Sequence, residues 1–168
     1  MTYPGFYSII KPLKIMKKFL YFFIPIIVLD QLTKLLVRTK MYIGETIPAV
    51  PLINISYTDN TGIAFGMFRN SAYSNIFFSI TTVIILLSII YLFYYKKNLS
   101  IHKHMYVPVN LIITGATGNL IDRIFVGKVT DFIDIYAGSY HWPAFNVADS
   151  SISIGGTILA IYLLCYRN

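Results

Sequence analysis

The sequence predicts a single-domain, mainly α-helical membrane protein: four transmembrane helices, with a small extracytoplasmic β-sheet built from the outer loops. Three observations predict it. The 168 residues are 56% hydrophobic and only 12% charged, with a mean hydropathy of +0.64, whereas soluble domains carry about 25% charged residues. Four apolar stretches each have the roughly 17 to 25 residues that a crossing of the hydrocarbon core needs. Lysine and arginine are densest in the short flanks that would lie on the cytoplasmic side.

The first span, about residues 19–37, carries Asp30, Gln31 and Lys34. Such groups are expensive in hydrocarbon and should face protein or water. The second, about 75–95, has no charge and is rich in Ile, Leu and Phe. The third, about 105–121, holds Asn110 and Asn119, and the fourth covers about 150–166. Lys11, Lys14, Lys17 and Lys18 precede the first span, Lys96, Lys97 and Lys103 separate the second from the third, and Arg167 follows the fourth. These flanks place both termini in the cytoplasm. Two loops, about 38–74 and 122–149, then face outward. They still hold Arg38, Lys40, Arg69, Arg123 and Lys128, so the bias is one of density. The +7 net charge follows from this bias; no basic run with interleaved aromatics points to nucleic acid.

From Met41 to Phe68, short apolar runs are punctuated by Gly44, Pro48, Pro51, Asn54, Asn60, Gly62 and Gly66, the pattern of short strands and turns. Lys128 to Tyr136 alternates polar and apolar residues well enough for a further strand. Lysines before an apolar run have the general shape of a cleavable signal, but Asp30 and Lys34 interrupt the run and no small-x-small site follows, so a retained first span is expected. The lone Cys165 can form no internal disulfide and reads as a packing residue. No cysteine near the N-terminus offers a lipid attachment point.

Six of the seven acidic residues are aspartates, and Asp122, Asp131, Asp134 and Asp149 fall within 28 positions between two apolar stretches. A carboxylate costs roughly 2.5 to 3.5 kcal/mol at a membrane helix centre, so acids gathered beside spans point to use. Asp131 and Asp149 both stand at the outer mouth of the expected bundle. Two facing carboxyls in a partly dry site share a proton, one acting as base toward water while the other protonates a carbonyl or leaving amine. That chemistry needs no cofactor and no metal, and the pair titrates as a unit.

Structural roles compete with this reading. Asp149, followed by two serines at a helix start, suits an N-cap. Asp122 beside Arg123 suits a local ion pair or a contact to lipid phosphate, and Asp134 suits a solvated strand position. Asp30 and Lys34, four residues apart, suit an intramembrane pair. His102 and His104 lie in a lysine-rich turn as solvated residues, and His141 and Trp142 suit interfacial anchors. Gly115 and Gly118 have the spacing of close helix packing. A small proton- or solute-coupled transporter would instead line a path with Asp30, Lys34, Asn110 and Asn119; it calls for acids near the midplane and an internal repeat, whereas the acids gather at the outer ends.

Five fragments in order, Asp30-Gln-Leu-Thr-Lys34, Asn60-Thr-Gly-Ile-Ala-Phe65, Gly118-Asn119-Leu-Ile-Asp122-Arg123, Val129-Thr-Asp131-Phe-Ile-Asp134 and Phe145-Asn146-Val-Ala-Asp149-Ser-Ser, closely resemble the bacterial lipoprotein signal peptidases, or type II signal peptidases. The resemblance runs from about Phe19 to Tyr166. It implies an aspartic membrane protease that cuts diacylglyceryl-modified prolipoproteins on the amino side of the lipidated cysteine, at the extracytoplasmic face of the bacterial plasma membrane. It makes Asp131 and Asp149 the catalytic pair and places Asn60, Asn119, Arg123 and Asn146 at substrate-binding positions. Asp30, Lys34, Gly62, Gly115 and Asp122 become supporting residues. It further implies inhibition by the cyclic peptide globomycin; membrane phospholipid is expected as a partner, and a monomer as the default state. A non-catalytic lipoprotein-binding protein would keep the asparagines without needing both acids. Ile63 and Thr117 depart from the family's usual residues. The residues before Met16, itself an alternative start, lie outside the resemblance.

Overall fold

The computed structural model describes residues 4–62, 73–92 and 105–165, with side chains from residue 19 onward. The chain runs α1 (Pro4–Lys40), β1 (Thr46–Val50), β2 (Ile53–Asn60), α2 (Ser74–Ile90), α3 (Tyr106–Phe125), β3 (Val129–Ala137), β4 (Tyr140–His141) and α4 (Val147–Cys165). The lysines flanking the spans, His102 and His104, Ile63, Arg69 and Arg167 lie outside the described side chains.

Two stretches are long and apolar enough by length and composition to cross a membrane, Phe19–Lys40 within α1 and all of α4. α2 is a shorter apolar helix of 17 residues. α3 is long enough at 20 residues but buries Asn110, Thr114, Asn119 and Asp122. The helices are polar inside and apolar outside. Along α1, Leu29, Leu32 and Leu36 are exposed while Asp30 and Lys34 are fully buried. α2 exposes Phe77 and Ile84, and α4 exposes Ile154, Ile161 and Leu164. Apolar surface on this scale fits lipid rather than water. Cys165, expected to pack, is exposed at the end of α4, whose last turn is exposed throughout from Leu163.

Glycine lets α3 and α4 meet backbone to backbone. A Cβ on Gly155 would sit 2.6 Å from the Pro108 carbonyl oxygen, and one on Gly118 2.8 Å from Asp30 Oδ2. One on Gly115 would collide with the Ala148 carbonyl. The predicted small-residue packing of Gly115 and Gly118 is therefore present, extended by Gly155.

The strands predicted in both outer loops join in one antiparallel sheet, in the order β1-β2-β3-β4. β1 is an exposed edge bearing Pro48, a residue sheets confine to such positions. The Pro51-Leu52 turn leads into β2, with Leu52 at φ 71°. β3 is covered at its start, Val129 to Phe132 all being buried. Val37 of α1, Tyr57 of β2 and Phe132 of β3 form the core that fastens the sheet to the helices. A second core, Leu86, Val109 and Ile113, joins α2 to α3.

Candidate active site

Two local devices deliver the acids. Asp131 lies opposite Thr58 in the β2–β3 ladder, just past an irregularity between Ile55 and Thr58. The chain then returns along β3, where Phe145 exchanges backbone hydrogen bonds with Ile133 at 2.8 and 3.1 Å. That docking sets Asn146 beside Asp131 and starts α4 there. Asn146, not Asp149, is the N-cap: its Oδ1 accepts the Asp149 N–H at 2.8 Å. Asp149, at the third helical position, accepts the Asn146 N–H at 3.3 Å. This reciprocal pair is a capping box. It corrects the expectation that Asp149 itself caps, because α4 begins three residues earlier than the apolar pattern suggests.

Asn146 Nδ2 also donates to Asp131 Oδ1 at 2.7 Å, so one fully buried residue touches both carboxylates. Asn60 Nδ2 holds the other oxygen of Asp131 at 3.0 Å, and Asn60 Oδ1 accepts the Gly62 N–H. Asn119 Nδ2 donates to Asp149 Oδ1 at 2.7 Å. Its own Oδ1 accepts from Lys34 Nζ at 3.0 Å and from Asn146 Nδ2 at 3.2 Å. The site is thus a closed chain running Asp131, Asn146, Asn119, Asp149. Asp131 is 3% exposed, whereas Asp149 is half-buried and reachable. Burial, followed by the charge of Asp149, pushes the Asp131 carboxyl up to about 7, against the opposing pull of its bonds from Asn60 and Asn146. A protonated acid beside a second carboxyl is what shared-proton chemistry requires.

A charged layer lies beneath. Lys34 Nζ is 2.9 Å from Asp30 and 3.1 Å from Asp122, all three wholly buried. The predicted Asp30–Lys34 pair is present, and Asp30 Oδ1 also accepts the Ala148 N–H at the start of α4. Asp122 corrects another expectation. Its ion-pair partners are Lys34 and Arg38 on α1, not adjacent Arg123, since neighbouring residues on a helix point in different directions. Asp122 Oδ2 further accepts the Thr130 N–H at 3.2 Å, gripping β3 one residue before Asp131. Among the described residues, Arg123 lies within 4 Å of no carboxylate. Asp134, read as solvated, is buried and bonded to Asn54 and His141. His141 is accordingly more than an interfacial anchor.

Sequence reasoning missed Thr130, Asn54 and the inward role of Arg38. Arg38 continues the i, i+4 series of Asp30 and Lys34, a signal that was available. Thr130 is a polar residue in a buried strand, and Asn54 had none beyond turn punctuation. Beside the site opens an apolar cleft of about 810 Å³, walled by Leu52, Ile135, Trp142, Phe145 and Ile154 together with Asp149.

Comparison with known proteins decides the family. Residues 22–165 match the family model described as signal peptidase (SPase) II. The chain belongs to the signal peptidase II family. A lipoprotein signal peptidase of Blochmanniella pennsylvanica is 43% identical over 146 residues, covering 86% of this chain and 87% of its own. That of Syntrophus aciditrophicus is 40% identical over 142 residues, covering 83% and 87%. A solved bacterial membrane enzyme superposes with a TM-score of 0.77 at 35% identity, over 89% of this chain and 94% of its own. As a member of the signal peptidase II family, the chain is a peptidase and a bacterial membrane protein.

Proposed function

We propose that Asp131 and Asp149 are the catalytic dyad with which this chain removes signal peptides from prolipoproteins. The observation that carries the reading is the bridging Asn146, which holds Asp131 through its side chain and Asp149 through its backbone N–H. Asp149, the more accessible carboxylate, takes a proton from a water held between the two acids, and the hydroxide adds to the scissile carbonyl carbon. Asp131 gives its proton to the carbonyl oxygen. Collapse of the tetrahedral intermediate breaks the C–N bond as Asp131 takes back a hydroxyl proton and the proton on Asp149 passes to the leaving amine. Asn60, Asn119 and Asn146 orient the dyad, and half-buried Asn60 offers a further amide hydrogen to the substrate main chain, which would otherwise go unsatisfied in so dry a site. Arg123, half-buried in the last turn of α3 and, among the described residues, paired with no carboxylate, suits the phosphate of a neighbouring lipid.

The substrate on this reading is a diacylglyceryl-modified prolipoprotein, cut on the amino side of the lipidated cysteine. Four helices span the bilayer, α2 and α3 joining the two that qualify by length and apolarity, with the sheet and dyad on the extracytoplasmic face and the termini inside. The enzyme works as a monomer and is inhibited by globomycin. Asp131→Asn and Asp149→Asn should each give an inserted, folded protein that leaves a lipidated peptide uncut. Substantial turnover by either variant would remove that residue from catalysis.

A further inference from the structure

The described residues hold a second set of interlocked polar groups, away from the dyad. One carboxylate ties three strands: Asp134 on β3 accepts from Asn54 Nδ2 of β2 at 2.9 Å and lies 2.9 and 3.0 Å from His141 Nδ1 of β4. The imidazole also stacks on Tyr136, with centroids 5.4 Å apart and planes 20° from parallel. β4 is only two residues long and has two pairs in its ladder, Tyr136 with His141 and Ala137 with Tyr140. So short a hairpin is marginal by itself.

Side chains alternate along a strand, so Asp134 and Tyr136 share one face of β3 and Ile135 turns to the other. The Trp142 N–H bonds to the Ile135 carbonyl at 2.8 Å in the plane of the sheet, and both residues, with Tyr136, wall the apolar cleft that includes Asp149. The polar cluster, reaching the cleft through Tyr136, thus holds the hairpin that forms its wall.

We propose that Asp134 and His141 are positioning residues for the peptidase reaction, latching the β3–β4 hairpin as a fixed wall of the cleft at Asp149. The latch governs how tightly substrate binds, not how fast the bond breaks. This inference rests on the reading of Asp149 as catalytic.

Three variants test it in cleavage of a lipidated peptide. His141→Asn keeps a donor near the position of Nδ1, His141→Gln offers one nearer Nε2, and His141→Ala offers none. Losing a bond to a charged group should raise KM roughly tenfold in the Ala and Gln variants while kcat stays within about twofold, and Asn should restore most of the binding. Exchange of the Trp142 amide hydrogen should quicken in the Ala and Gln variants and not in Asn. Unchanged KM, a fall in kcat at constant KM, equal behaviour of Asn and Gln, or faster exchange throughout the protein would each overturn the latch. Asp131→Asn in the same assay separates the two readings. If it still turns over, the dyad fails; if it is dead while the His141 variants match wild type, only the latch fails.

Discussion

Asp131 and Asp149 differ in setting, and the proposed mechanism gives them different roles accordingly. Asp131 is buried at the start of a covered strand, with its proton held to about pH 7 by desolvation and by the neighbouring carboxylate. A carboxyl raised from its ordinary 3.8 binds a proton in the folded state that the unfolded chain has already lost. Stability should therefore fall as pH rises from about 4 to about 7 and level off above that. Asp131→Asn, neutral throughout, should flatten this dependence in pH-resolved unfolding. Catalysis follows the same proton: kcat/KM should fall about tenfold per unit above roughly pH 7 as the acid form is lost. A rate still rising at pH 9 would contradict the assignment. Asp131 and Asp149 stood out in the sequence as candidates because acids are rare in so apolar a chain. Asn146 as the bridge was not, since its hydrogen bonds depend on where Phe145 docks on β3.

At the scale of elements, the critical joint is α3 against α4. Gly115 and Gly155 face backbone carbonyls of the opposite helix, which cannot move aside as a flexible side chain can. Gly115→Ala or Gly155→Ala should destabilise by about 1 to 3 kcal/mol through overpacking. Either should also depress cleavage, because displacing α4 carries Asp149 with it. Gly156 faces open space within α4, so Gly156→Ala should melt no lower than wild type and serves as the control. Thermal unfolding in detergent, alongside the cleavage assay, reads both effects. The glycine spacing in α3 was visible in the sequence. Its partner in α4 was not, because Gly155 and Gly156 look alike until the helix is rotated into place.

Across the whole molecule, one buried layer of charge joins the helical bundle to the sheet. Lys34 contacts Asp30, Asp122 and Asn119, and Asp122 reaches through Arg38 and the Thr130 backbone to the strand bearing Asp131. Lys34→Met leaves two buried carboxylates without their shared cation, and should cost about 3 to 5 kcal/mol. Adding Asp30→Asn should recover part of that loss; denaturant unfolding of the single and double variants measures it. The sequence by itself determined the membrane setting, the helical and strand segments and the identity of the acids, because composition, apolar run length and spacing are properties of the chain. Only the tertiary structure decided which groups meet: that Asp122 turns to α1 rather than to Arg123, that Asn146 bonds to both Asp131 and Asp149, and that Asp134 bonds to Asn54 and His141. Each of these contacts joins residues far apart along the chain or fixes the direction of a side chain, and local sequence encodes neither.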